Sequence, residues 1–248
     1  MIVLKSDEEI KRMAEACRIV AEVLEGMKKY ISPGVTTKEL DEFAESYIIS
    51  KGARPAFKGY RGYPSTVCAS VNEQVVHGIP SANKLKNGDI ISIDVGVRYN
   101  GFYGDAAVTL PVGSISKQAQ RLLAATEKAL EAGIKRAVAG NRLSDISSTI
   151  QNYVESEGFS VVRTFVGHGI GRELHEDPQI PNYGRPGEGP KLLEGMTLAI
   201  EPMVNAGGWE VNILNDGWTA VTKDGSLSAH FEHTVAITKN GQSILTKL

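Results

Sequence analysis

The stretch Asn87 to Leu110, NGDIISIDVGVRYNGFYGDAAVTL, constrains the chain most, because it reads as two strands joined by a turn with an acid planted in each. Ile90, Ile91, Ile93, Val95 and Val97 form a β-branched run, Asn100-Gly101 is a strong hairpin dipeptide, and apolar residues resume at Phe102. Asp94 therefore interrupts a strand that belongs in a core. A two- or four-residue loop centred on Asn100-Gly101 pairs Asp94 with Ala107 and leaves Asp105 one diagonal step away on the same face, roughly 7 to 8 Å between backbones. An odd loop length puts the two acids on opposite faces instead. Carboxylates that converge on a half-buried face lose hydration and repel unless a proton is shared or a cation sits between them. The plainer reading, one Asp at an exposed edge and the other capping a turn, has equal standing for this pair alone. The rest of the chain has to decide.

With 248 residues, 42% of them hydrophobic, the chain is long enough to bury a core without staples. A formal net charge of −2 and the lack of any long basic run argue against nucleic acid or an anionic membrane as the main partner, while leaving room for transient contact with the ribosome. MIVLKSDEEIKRM has no apolar signal core, and no segment approaches the roughly 20 apolar residues that span a bilayer. A cytoplasmic monomer is the expectation. Cys17 and Cys68 belong to neither a CxxC pair nor a zinc-ribbon spacing, and Cys17 falls on the apolar face of a helix.

Ser6 with Glu9 forms a capping-box pattern ahead of Ile10, Met13, Cys17, Val20, Leu24 and Met27, which predicts a long amphipathic helix ended by Pro33-Gly34. Thr36 with Glu39 repeats the pattern for a second helix closing before Gly52. After the hairpin the order starts again, with a helix over about Lys117 to Val138 and another after Gly140. Gly34, Leu40, Tyr47, Ile48 and Gly52 recur as Gly140, Ile146, Tyr153, Val154 and Gly158, each displaced by 106 residues. With one residue of slippage Asp94 falls on Glu201, which precedes Pro202 and is therefore held extended, as on a strand. The repeat predicts an α+β chain, 1–248, forming a single domain of two similar αβ halves, about 1–112 and 113–248, around a central sheet with a cleft between them.

Three further candidates join the two aspartates. His168 stands among Gly167, Gly169 and Gly171, where bare backbone allows close approach. Glu201 ends an apolar run, and HFEHTVAIT reads as one alternating strand carrying Glu232 opposite Phe231, Val235 and Ile237. Taken singly, each is more commonly a loop histidine or a solvent-facing acid than a ligand. Five such residues at strand or loop positions favour a metal centre. Two divalent cations neutralise four carboxylates, and a hydroxide then leaves the site near −1, so two ions fit better than one. An oxygen-rich set of this kind suits manganese, iron or cobalt, with zinc as an alternative. The glycines around His168 do not make GxGxxG, His175-Glu176 lacks a second histidine at the zincin spacing, and GxSxG is absent.

The order Asp, Asp, His, Glu, Glu, carried by IDVGVRYNGFYGD, GHGIGRELHEDP, IEPMVN and SAHFEHT, resembles methionine aminopeptidases of the bacterial type I class over nearly the whole chain. The resemblance implies the duplicated pita-bread fold, a dinuclear metal centre on Asp94, Asp105, His168, Glu201 and Glu232, and removal of the initiator methionine from the N-termini of nascent polypeptides. It also implies Glu201 as general base, catalytic roles for His77 and His175, and a methionine pocket of Phe57, Tyr60, Tyr63, Cys68, His77 and Trp218. Three positions depart from the family's pattern: Phe57 in place of a common cysteine, Leu174 in place of an aromatic, and Gly96 where threonine often follows the first Asp. These bear on the shape of the pocket. Proline-specific peptidases resemble the ligand set but usually carry an extra N-terminal domain, and the short span from His168 to Glu201 leaves no room for the insertion of the type II enzymes. A non-catalytic relative would have lost ligands, and all five are present.

Overall fold

Both helices of the first half begin where the sequence supplies reciprocal caps. In the computed structural model, which describes residues 1–248, α1 spans Asp7–Tyr30 and α2 Thr37–Ser50, with Ser6 and Thr36 hydroxyls accepting from the Glu9 and Glu39 amides while each Glu carboxylate accepts from the cap amide. Two more helices follow the hairpin, α3 (Lys117–Ile134, capped by Ser116) and α4 (Leu143–Ser156). No helix is long and apolar enough to cross a membrane. The third helix stops earlier than its sequence pattern predicts: Arg136 and Ala137 donate back three residues, to Gly133 and Ile134, so the chain tightens into turns before Gly140.

The acidic hairpin pairs Ile90–Tyr99 with Phe102–Pro111, closing at Tyr99 and Phe102 through Asn100 (φ 49°) and Gly101 (φ 82°). Two left-handed residues match the twist of the flanking strands, which fixes a two-residue loop and with it the register. Asp94 lies opposite Ala107, and Asp105 opposite Gly96, so both acids fall on one face as the even-loop argument requires. Arg54–Pro55 and Val67–Val71 also pair with Ile90–Tyr99. A second antiparallel sheet runs in the order Gly241–Ile244, His233–Thr238, Thr197–Ile200, Gly167–Gly169, Glu176–Ile180.

These sheets abut rather than forming one uninterrupted ladder. The Asp105 amide donates to Thr234 Oγ1 (3.1 Å), that hydroxyl donates to the Asp105 carbonyl (2.7 Å), and the Glu232 amide donates to the Ala107 carbonyl (2.9 Å). Helices cover the outer faces. One core gathers Val20, Leu24, Leu40 and Ile48 against Ile91, Ile93, Val95 and Val97; another gathers Leu122, Ile146 and Ile150 against Leu198, Ile200, Val235 and Ile237. Burying each such side chain contributes roughly 1.5–3 kcal/mol, so the sheets are clamped from outside and only their inner face is left for chemistry.

The same hydrogen bonds occur at positions about 106 residues apart. Gly34 donates to the Leu85 carbonyl (2.8 Å) and Gly140 to that of Leu192 (3.0 Å), with left-handed φ of 98° and 97°. Beyond α2 and α4, Ala53 bonds Ile48 and Phe159 bonds Val154, both at 3.2 Å.

Two strands differ from their sequence reading. The run 230–238 is divided into Ser228–His230 and His233–Thr238, leaving Phe231 and Glu232 at a break, and Glu201 lies just past Thr197–Ile200 instead of on it. Pro202 has no N–H for the ladder, so the chain changes sheets there: Met203–Asn205 pairs with Ser228–His230, while Thr197–Ile200 pairs with His233–Thr238. Both glutamates sit where paired strands switch partners, which frees their side chains to turn inward.

Candidate metal centre and adjoining pocket

All five acids and imidazoles singled out from the sequence line one cavity of about 150 Å³. Asp94 and Asp105 reach it from the hairpin, Glu201 and Glu232 from the two breaks, and His168 from the short strand Gly167–Gly169. The glycines beside His168 are a packing requirement: a Cβ at Gly167 would lie 2.4 Å from the Ala199 carbonyl oxygen, and one at Gly169 2.1 Å from that of Asp177. Ligand atoms of Asp105, His168 and Glu232 lie within 4.8 Å of one another, and His168 Nε2 is 3.5 Å from Glu201 Oε1.

The electrostatics of this group call for a cation. Asp94 Oδ1, Asp105 Oδ1 and Glu232 Oε1 are buried without a hydrogen-bond partner, a costly state for any carboxylate. Burial pushes the Asp94 and Glu201 carboxyls up to about 7, and burial plus neighbouring acids holds Asp105 and Glu232 well above the carboxylate range. His168 Nδ1 lies 2.9 Å from the Gly169 carbonyl, which can only accept, so the proton is on Nδ1 and the Nε2 lone pair faces Glu201. Lone pairs that face each other at this range need a proton or a metal between them. Unpaired carboxylate oxygens with one imidazole nitrogen suit a divalent cation.

Phe57, Tyr60, Tyr63, Cys68, His77 and Trp218 line the same cavity, joined by Arg61, Leu174 and His175. The Tyr63 hydroxyl is shared between the Val67 and Gly78 carbonyls (3.1 and 3.0 Å), and Trp218 meets its ring edge-on at 5.1 Å. His175 Nδ1 is 2.9 Å from the Tyr60 hydroxyl, and its ring centroid is 4.2 Å from that of His168. Burial lowers His175 to about 3 and His77 to about 4, so both are neutral at physiological pH. His77 is held at φ 60° with its ring edge-on to Phe165. Two of the departures from the family's pattern fit one another: a Cβ at Gly96 would lie 2.5 Å from Phe57 Cε1, so the phenyl ring occupies the space a side chain at 96 would need.

Sequence reasoning missed His230 and its supports. Its side chain is buried, its Nε2 is 3.6 Å from Glu201 Oε2, and its backbone amide and carbonyl both bond the Thr109 hydroxyl at 2.8 Å. HFEHT carries two histidines, and alternation alone could not rank them; His233 instead bonds Thr246 Oγ1 at 2.9 Å. A larger hollow of about 470 Å³, lined by Leu24, Lys28, Glu131, Phe231 and Lys247, holds no grouped ligand atoms beyond those of the site described.

Residues 11–239 match the model of metallopeptidase family M24, and the chain belongs to that family. Divalent metal use follows from that membership. Within it the chain groups with the methionine aminopeptidases. It is 57% identical to the methionine aminopeptidase of Clostridium perfringens, covering 99% of both chains, and 57% identical to methionine aminopeptidase 1 of Bacillus subtilis, covering 100% of both. The crystal structure of methionine aminopeptidase from Thermotoga maritima superposes with a TM-score of 0.98 at 53% identity over the whole of both chains, so the fold is that of the pita-bread enzymes.

Proposed function

We propose that this chain removes the N-terminal methionine from nascent polypeptides by dinuclear-metal-assisted hydrolysis, favouring small residues in the second position. One observation carries the reading: the carboxylate and imidazole cluster opens into the same cavity as a pocket lined by aromatic rings and a thiol. Asp94, Asp105, His168, Glu201 and Glu232 would hold the two ions. When bound, these supply Lewis-acid polarisation of water and carbonyl and an anchor for a free amine.

The protein's own residues do the rest. Glu201, a buried carboxylate turned into the cavity beside His168, takes a proton from the attacking water and passes it to the leaving amine. With its Nδ1 accepting from the Tyr60 hydroxyl, His175 would present an Nε2–H to the oxyanion. Neutral His77, fixed beside Trp218 and Phe165, contacts the substrate amide. Phe57, Tyr60, Tyr63, Cys68 and Trp218 grip the thioether, where sulfur–aromatic contacts contribute roughly 0.3–1.5 kcal/mol each. On this reading the chain works as one catalytic domain of two repeat-related halves, about 1–112 and 113–248, as a cytoplasmic monomer in passing contact with the ribosome.

Incubation with Met-Ala-Ser, Met-Lys-Ser and Ala-Pro-Ser, with and without chelator, tests the proposal. Methionine should leave Met-Ala-Ser in the metal-loaded reaction, with little turnover of the other two and none in chelator. Comparable cleavage of Ala-Pro-Ser would move the chain to the proline-specific branch.

A further inference from the structure

His230 supplies the only nitrogen among the buried side-chain atoms that lack a partner; three of the others are the orphaned oxygens of Asp94, Asp105 and Glu232. An unpaired polar atom in a closed site is costly unless the site gives it work. The backbone of His230 leaves it little freedom. Its amide donates to Thr109 Oγ1 and its carbonyl accepts from the same hydroxyl, both at 2.8 Å, and it pairs with Met203 directly after the Glu201-Pro202 bend. The ring therefore stands beside the carboxylate that the bend turns inward.

Glu201 is bracketed by two imidazoles. His168 Nε2 faces Oε1 at 3.5 Å with a lone pair, since its proton is spent on the Gly169 carbonyl, while His230 Nε2 faces Oε2 at 3.6 Å. The Glu201 carbonyl accepts from Asn182 Nδ2 at 3.0 Å, which fixes the backbone from which the side chain swings. We propose that His230 is a positioning residue: its Nε2–H donates to Glu201 Oε2 and so holds Oε1 toward His168 and the metal centre. Closing from 3.6 Å to hydrogen-bond range needs a shift of about half an ångström, the ordinary amplitude of a packed side chain. Without this donor the carboxylate is free to rotate, and both the ligand oxygen and the general base lose their aim. The inference rests on the metal-centre assignment and adds a residue outside the five-ligand set.

The test compares His230→Leu, which keeps bulk without a donor, with His230→Gln, which keeps a donor of similar reach. Mn²⁺ alone is titrated calorimetrically into each metal-free protein, and kcat and KM for Met-Ala-Ser are measured separately. The Leu variant should bind its tightest Mn²⁺ on the order of 10- to 100-fold more weakly and lose kcat with little change in KM. Gln should restore most of both. If the Leu variant does not fold, His230→Asn, polar but too short to reach Glu201, takes its place. Native Mn²⁺ affinity in the donor-free variant overturns the proposal, as does a Gln variant as impaired as Leu, which would make His230 a direct ligand. Failure of the peptidase reading would show as no turnover by any form, and the Mn²⁺ titrations would still decide the role of His230.

Discussion

Placing a methyl group at Gly96 should push the pocket wall inward, and the size of the effect follows from local distances. Gly96 lies on the hairpin strand opposite Asp105, and its built Cβ would meet Phe57 Cε1 at 2.5 Å, Phe57 Cδ1 at 3.0 Å and Ala56 Cβ at 3.0 Å. Carbon contacts settle near 3.5–4.0 Å, so the ring edge has to retreat by about 1 Å. The backbone cannot give way easily, because the Ala56 amide bonds the Gly96 carbonyl at 2.9 Å and the Phe57 carbonyl accepts from Tyr60 at 2.8 Å. The ring must therefore turn into a cavity of only about 150 Å³. Overpacking of this kind costs about 1–3 kcal/mol. Charged against methionine binding, that predicts a loss of roughly 5- to 150-fold in kcat/KM, mainly through KM. Steady-state kinetics on Met-Ala-Ser, with metal content measured alongside, should show Gly96→Ala impaired, and adding Phe57→Ala to it should cost less than Phe57→Ala costs alone, because it also relieves the clash. An unchanged KM in Gly96→Ala, or a double variant in which the two single losses simply add, would refute the coupling of these positions.

His175→Ala should keep its metal and lower kcat by on the order of 10² to 10³, because it removes an oxyanion donor that is not itself one of the five ligands; metal loss would reassign it. Formyl-Met-Ala-Ser should remain intact beside Met-Ala-Ser in a product assay, since a formylated amine has no lone pair for a cation, and comparable turnover would overturn the amine-anchoring role. Metal-free protein should gain thermal stability as pH falls from about 8 to about 6.5. Asp94 and Glu201 are raised to about 7 in the fold and Asp105 and Glu232 are also held well above the carboxylate range, so the native state binds protons that the unfolded chain does not. From the lower part of that range downward His77, His175 and His233, held at about 4, 3 and 4, act the other way, because the unfolded chain charges its histidines first. A Tm that falls between pH 8 and 6.5 would contradict the raised carboxylates.

Much of this architecture was legible because local signals agreed. Ser6 with Glu9 and Thr36 with Glu39 mark the starts of α1 and α2, and Asn100-Gly101 alone sets the pairing of Asp94 with Ala107. Less legible was what depends on distant strands. HFEHTVAIT alternates well enough to read as one strand, yet it breaks at Glu232 because its partner breaks at Pro202, far away in sequence. His230 stayed hidden for the same reason: only the pairing with Met203 reveals which of the two histidines looks at Glu201. The departures at Phe57 and Gly96 looked independent in sequence, since 39 positions separate them, and their complementarity is a contact between a loop and a strand.

The central claim is that four carboxylates and His168 are held ready for two divalent ions, and anomalous diffraction from crystals grown at saturating Mn²⁺ measures it most directly. Two peaks should stand among Asp94, Asp105, His168, Glu201 and Glu232, with the total occupancy diminished in crystals of Asp105→Asn. No peak among these residues at saturating Mn²⁺ would contradict the account.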